Sequence, residues 1–205
     1  MTVKWSDQEL LAWKPPEKLT VSEWADKYRI MDEQTSPLPG LWKTENTPYL
    51  REIMDTFNVP HIQEVVICKP TQVGGTEAFN NIVGYIIDQD PSPTLVVYPT
   101  LEMAEYTSDK RLQPMFNLSP ALMNRFLRDK SKRLELQFIG MYLALAGANS
   151  PASLASRPMR VVIFDETDKY PPYSGKEADP ISLGVERTKN FYNRKIYKAS
   201  TPTLE

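Results

Sequence analysis

Val65-Val66-Ile67-Cys68-Lys69-Pro70-Thr71-Gln72-Val73-Gly74-Gly75-Thr76 is the stretch on which the fold turns. Its four leading apolar residues do not alternate, which predicts a strand buried on both faces of a sheet. The polar residues that follow, with a proline and two glycines, read as a turn. Behind them Phe79, Ile82, Val83, Ile86 and Ile87 recur at helical spacing. A strand, a glycine-containing turn and an amphipathic helix in this order place backbone N–H groups at a helix N-terminus, where a phosphate can bind. Laid on the pattern G-x-x-x-x-G-K-S/T, the loop keeps Gly74 and Thr76. It has Lys69 at the first glycine and Gly75 at the lysine. A lysine at the start of the loop has a flexible stem and can curl back over the same phosphates. The alternative is an ordinary strand-to-helix turn.

The same alternation of elements continues outward. Thr47-Pro48 predicts a helix start, with Tyr49, Leu50, Ile53, Met54 and Phe57 as its apolar stripe. Residues 94–98 and 161–164 are further unalternated apolar runs, and 195–199 is a fourth predicted strand. Thr100 caps a helix with Glu102 and Glu105 in its first turns, and Ser119-Pro120 starts another. Alternating residues at 134–138 and 142–146 predict a hairpin, with Gly140 at the first turn position. Buried strands alternating with helices predict an α/β fold with a mostly parallel central sheet flanked by helices. Ligands of such sheets bind outside the carboxyl ends of the strands. There lie the loop, the pair Asp165-Glu166, and Ser200-Thr201-Pro202. Asp165 suits a Mg²⁺ ion, directly or through water, and Glu166 suits polarising an attacking water. Ser200 and Thr201 can sense a terminal phosphate. Each feature alone is also common in strand-end turns; their coincidence points to nucleotide hydrolysis.

Composition narrows the class without naming an activity. The 205 residues carry 24 basic and 26 acidic side chains, a net charge of −2, which excludes a globally basic nucleic-acid binder but not a local basic patch. Hydrophobic residues make up 41% and charged residues 24%, an ordinary globular balance. One cysteine, Cys68, excludes an internal disulfide, fits a reducing compartment, and is expected at a buried strand end. No apolar run has membrane-span length, and the first residues lack a signal-peptide core. Proline is high, at 18 of 205, which predicts short elements. All four tryptophans (Trp5, Trp13, Trp24, Trp42) lie in residues 1–46, which are expected to form an N-terminal helical and loop arm packed onto a domain at 47–205. Within the arm, Thr20 and Glu23 have capping-box spacing.

Six stretches then carry a family resemblance: LTVSEWADKYRI (19–30), TPYLREIMD (47–55), CKPTQVGGTEAFNN (68–81), PTLEMAEYTSDKRLQPM (99–115), GANSPASLASRPMRVVIFDETDKYP (147–171) and KASTP (198–202). Across most of its length the chain resembles the ATPase part of the bacteriophage terminase large subunit, lambda-type (GpA-like). The resemblance implies a P-loop NTPase fold of the ASCE type, with an added catalytic-glutamate strand. It implies an ATP- and Mg²⁺-dependent motor that packages double-stranded viral DNA into procapsids. The implied partners are a portal protein, a small terminase subunit and further copies of the chain in a ring, in the cytoplasm of an infected bacterium. On this resemblance Lys69, Thr71, Gln72, Val73, Gly74, Gly75 and Thr76 form the phosphate loop, and Thr76 and Asp165 hold the metal. Glu166 is the catalytic acid, and Ser200 and Thr201 belong to the coupling motif. Tyr49 is matched to an adenine-contacting tyrosine and Arg157 to an arginine finger, with Arg160 and Arg111 as other candidates. Two departures stand out. Many relatives have lysine at the position of Gly75, and the chain ends at Glu205 without the acidic cluster of the family's nuclease, so no DNA cleavage is expected. A non-hydrolysing remnant that keeps the fold, and a helicase-like DNA-stimulated ATPase, are the competing readings.

Overall fold

The computed structural model describes residues 5–6, 17–34, 36–150, 154, 157–175 and 178–201. Helix α1 (Val21–Tyr28) starts at the predicted capping box: the Thr20 hydroxyl accepts from Glu23 N–H, and the Glu23 carboxylate accepts from Thr20 N–H at 2.8 Å. Two short strands, β1 (Ile30–Met31) and β2 (Gly40–Leu41), pair antiparallel behind it. Helix α2 (Leu50–Asp55) then leads to β3 (Glu64–Cys68) and the long α3 (Gly75–Gln89). Strand β4 (Thr94–Tyr98) is followed by α4 (Leu101–Thr107), a π-helical turn at Ser108–Leu112, and α5 (Gln113–Leu118). After the four-residue α6 (Pro120–Met123) come β5 (Glu135–Phe138), β6 (Met141–Gly147), β7 (Val161–Phe164), α7 (Pro180–Glu186) and β8 (Lys195–Ser200).

The main sheet has the order β3-β8-β7-β4-β6-β5, parallel throughout except for β5 against β6. Strands β4 and β7 are buried at every position, as their unbroken apolar runs require. The larger apolar cluster joins α1, α2, α3 and one sheet face; a second, containing Val97, Val162, Phe164 and Ile196, lies on the other face.

Several expectations need correction. Strand β3 is not buried on both faces. Among the described residues it is the edge strand, its exposure alternates, and Val66 is 69% exposed. Cys68 is accordingly exposed rather than buried. Helix α2 begins at Leu50, and Thr47 does not cap it with its side chain, whose buried Oγ1 has no partner. In the hairpin Phe138 pairs with Met141, so Ile139-Gly140 is the turn and Gly140 (φ 85°) holds its second position. Ser119 precedes α6, but its hydroxyl accepts from Ile30 N–H rather than capping. The tryptophans divide. Trp24 and Trp42 are buried, Trp5 is half exposed, and Trp13 lies outside the described residues. Trp24 joins α1 to α3: its ring lies over Gly84 and its indole N–H donates to Asp88 at 3.0 Å.

Candidate nucleotide site

The loop 69–74 leaves β3 at the carboxyl edge of the sheet, beside the end of β8, because Cys68 is in register with Ser200 and Lys69 N–H donates to Ser200 C=O at 3.0 Å. Gln72 (φ 62°) and Gly74 (φ 77°) both take left-handed backbone conformations. Gly74 is the N-cap of α3 and supplies that conformation without steric cost. Left-handed residues near a helix start turn successive N–H groups inward, which is the geometry of an anion cradle. Thr71 and Gln72 are exposed, and the Tyr49 hydroxyl donates to Val73 C=O at 3.0 Å. A cavity of about 330 Å³ opens here, walled by Tyr49, Leu50, Ile53, Ile67, Val73 and the stem of Lys69.

Lys69 folds back over the loop. A Cβ added at Gly75 would lie 2.5 Å from both Cδ and Cε of Lys69, so the bare Gly75 is what leaves room for the lysine stem. The ammonium donates to Thr201 Oγ1 at 3.1 Å. On the other side of the cradle, Thr76 Oγ1 donates to Asp165 Oδ2 at 2.8 Å. Asp165 is 3% exposed and its Oδ1 is buried without a partner. Burial raises its pKa above the usual 3.8, opposed by the Thr76 hydrogen bond and the charge of Lys69. An orphaned carboxylate oxygen beside a threonine hydroxyl fits a hard divalent cation. Among the described residues no cluster of three or more His, Cys, Asp or Glu could hold a metal unaided. A cation here would therefore take further oxygens from its substrate, as Mg²⁺ does in nucleotide sites.

Glu166 follows Asp165 in a left-handed conformation (φ 57°, ψ 49°) that is unfavourable for a residue with a side chain. Its carboxylate pairs with Lys169 at 2.9 Å. Tyr170 supports the same segment by donating to Val97 C=O at 2.7 Å. Ser200 ends β8 and Thr201 follows it, between the loop and this acid segment; Pro202 lies outside the described residues.

The arginines are dispersed. Arg157 pairs with Glu135 at 3.0 Å and stacks over Tyr142, at the β5–β6 edge of the sheet opposite β3. Arg160 is buried at the start of β7, paired with Asp90 and packed over Phe57, at the end of the sheet away from the loop. Arg111 reaches Glu77, one residue beyond Thr76, and shares that carboxylate with the buried Arg29. In the basic stretch 128–133, Arg133 is already paired with Glu105 and Asp109. Sequence reasoning gave no part to Asp168, Lys169 or Glu77. The sequence signal for Asp168 is its place as the third acid in Asp165-Glu166-Thr167-Asp168.

A mostly parallel sheet with a phosphate-type loop, a buried acid beside the loop threonine, and an extra strand (β8) between loop strand and acid strand defines a P-loop nucleoside triphosphatase fold of the added-strand type. The chain belongs to the family described as phage terminase large subunit gpA, ATPase domain, whose model matches residues 36–205. It is 26% identical over 202 residues to the terminase large subunit of Enterobacteria phage P21, covering 96% of this chain and 31% of that protein. In structure it is similar to the large terminase of bacteriophage HK97, with a TM-score of 0.68 at 14% identity over 88% of this chain and 37% of that one. It is also similar to a mutant ATPase domain of the Thermus phage P74-26 large terminase, with a TM-score of 0.53 at 20% identity over 69% and 60% of the two chains. The chain thus spans about a third of the length of the P21 and HK97 proteins. Among the described residues no helix is long and apolar enough to cross a membrane.

Proposed function

We propose that this chain is the ATPase motor part of a phage large terminase, hydrolysing ATP to drive double-stranded viral DNA into a procapsid in the cytoplasm of the infected bacterium. The observation that carries this reading is the convergence of Lys69, Thr76 and the buried Asp165 around one cradle. The backbone N–H groups of residues 71–76 and the Lys69 ammonium bind the phosphates, and Tyr49 stacks beside the base over the apolar cavity. Thr76 and Asp165 would hold Mg²⁺, which would neutralise charge on the phosphates. Glu166, fixed by Lys169, orients a water for attack on the γ-phosphorus and accepts its proton; as the new P–O bond forms, the bond to the bridging oxygen breaks, giving ADP and inorganic phosphate. Arg157, remote from its own loop, serves the site of a neighbouring copy in a ring. Ser200 and Thr201 pass the change in phosphate contacts to β8. A portal protein and a small terminase subunit are the proposed partners, with residues 1–46 as an arm on the ATPase domain 47–205. DNA cleavage is not assigned to this chain.

ATP binding and turnover with Mg²⁺ test the reading in the wild-type chain, Lys69→Ala and Glu166→Gln. Lys69→Ala is expected to weaken ATP binding at least about tenfold, the scale of a lost charge-assisted contact. Glu166→Gln should bind ATP normally and fail to turn it over. Unchanged binding by Lys69→Ala would remove the assignment of that lysine.

A further inference from the structure

Asp168 lies three residues beyond Asp165, on the 3-10 turn Thr167–Lys169. Its Oδ1 accepts the backbone N–H of Thr201 at 3.0 Å and the Ser200 hydroxyl at 3.4 Å. From the same turn the Thr167 hydroxyl donates to Ala199 C=O at 3.2 Å. The acid segment is therefore bonded to each of the last three described residues of the chain. Lys69 approaches from the other side, with its ammonium on Thr201 Oγ1 and its backbone N–H on Ser200 C=O. Thr201 is held at its backbone by one functional segment and at its side chain by another.

We infer that Asp168 is a positioning residue for the nucleotide site, acting through Thr201 on Lys69. The inference rests on the proposed assignment of Lys69 to the phosphates. A lysine carries a compact charge on a flexible stem, and without an anchor its ammonium spreads over many rotamers. Thr201 is 6% exposed, so its hydroxyl is a desolvated acceptor whose place depends on its own backbone. Asp168 fixes that backbone by a charge-assisted hydrogen bond. An ammonium has three donors; one on Thr201 leaves two for phosphate oxygens. Asp168 thereby sets where Lys69 sits above Gly75 without touching nucleotide itself. The same bonds run in the other direction, so that a pull of the phosphates on Lys69 is felt at the turn behind Glu166.

The test is the affinity of the full chain for a fluorescent, slowly hydrolysed ATP analogue with Mg²⁺. The variants are Asp168→Ala, Asp168→Asn, Thr201→Val, Lys69→Ala and the double variant Lys69→Ala with Asp168→Ala. Asp168→Ala and Thr201→Val should each weaken binding about three- to tenfold, the range for one hydrogen bond to a charged group. Asp168→Asn should stay near wild type, because its amide oxygen still accepts the Thr201 N–H. In the Lys69→Ala background, Asp168→Ala should add no further loss, because the two act in series. Unchanged affinity in Asp168→Ala overturns the inference, as does an undiminished loss in the Lys69→Ala background or an Asp168→Asn as weak as the alanine. If Lys69→Ala itself binds normally, the phosphate assignment fails first, and that outcome is separate from the others.

Discussion

Gly75 shows how a single position changes meaning between sequence and structure. In the chain it is a departure, a glycine where the motif asks for lysine. In space it is the gap through which the Lys69 stem passes, with no room for a methyl group within 2.5 Å of Cδ and Cε. The clash falls on the far part of a flexible side chain, so Gly75→Ala displaces the lysine and leaves the helix start intact. Alanine also has the higher helix propensity of the two. We therefore expect Gly75→Ala to melt no lower than wild type while losing about tenfold in ATP affinity, the cost of a displaced charge-assisted contact. Calorimetric titration beside a thermal melt separates the two effects; normal affinity would show that the stem position is immaterial. That a lysine could move to the start of the loop was legible from its chemistry. The space that permits it was not, because that space is defined by the packing of the loop onto α3.

At the scale of elements, the readable features were those set within one turn or one strand. The capping box at Thr20 and Glu23, the Thr100 cap and the apolar runs of β4 and β7 all stand where local patterns put them. Strand β3 was misread because its apolar run is the same whether the strand is central or at an edge. Only the identity of its neighbours decides, and among the described residues β3 pairs with β8 on one side alone. The contact between α1 and α3 was equally invisible, since it depends on Gly84 presenting a flat patch to the fully buried Trp24 ring. A Cβ at Gly84 would come within 2.3 Å of that ring, which cannot bend away. Gly84→Ala should destabilise the chain by about 1–3 kcal/mol, the usual cost of overpacking a rigid core contact. A thermal melt checks it: the midpoint should fall by several degrees, and an unchanged midpoint would mean the helices separate freely.

On the scale of the whole molecule, the sheet has two ends and two edges with different work. Its carboxyl end gathers the loop, Asp165, Glu166 and Thr201. Its amino end buries Arg160 and Lys195, the latter with its ammonium on the carbonyls of Thr56, Val59 and Ile62. Arg157 lies at the edge farthest from β3 and out of reach of its own loop. If it acts on a neighbouring copy, Arg157→Ala and Glu166→Gln chains are each inactive alone. Mixed in an assembled oligomer, they should recover a fraction of wild-type turnover, because some interfaces then pair an intact arginine with an intact glutamate. Turnover that stays at background in a mixture shown to be assembled would remove the assignment of Arg157 to a neighbouring copy's site.

By itself the sequence determined the alternation of strands and helices, the Thr20 and Thr100 caps, and which residues stand at the strand ends, because those depend on neighbours within a few positions. The tertiary structure alone decided the edge position of β3, the course of Lys69 over Gly75, and the grip on Thr201. Those contacts join residues far apart in the chain: Thr76 and Asp165 are 89 positions apart, Lys69 and Thr201 132, and Asp168 and Thr201 33. Local pattern carries no information about distances of that kind; they are set when parallel strands take their order in the sheet and bring their carboxyl ends together.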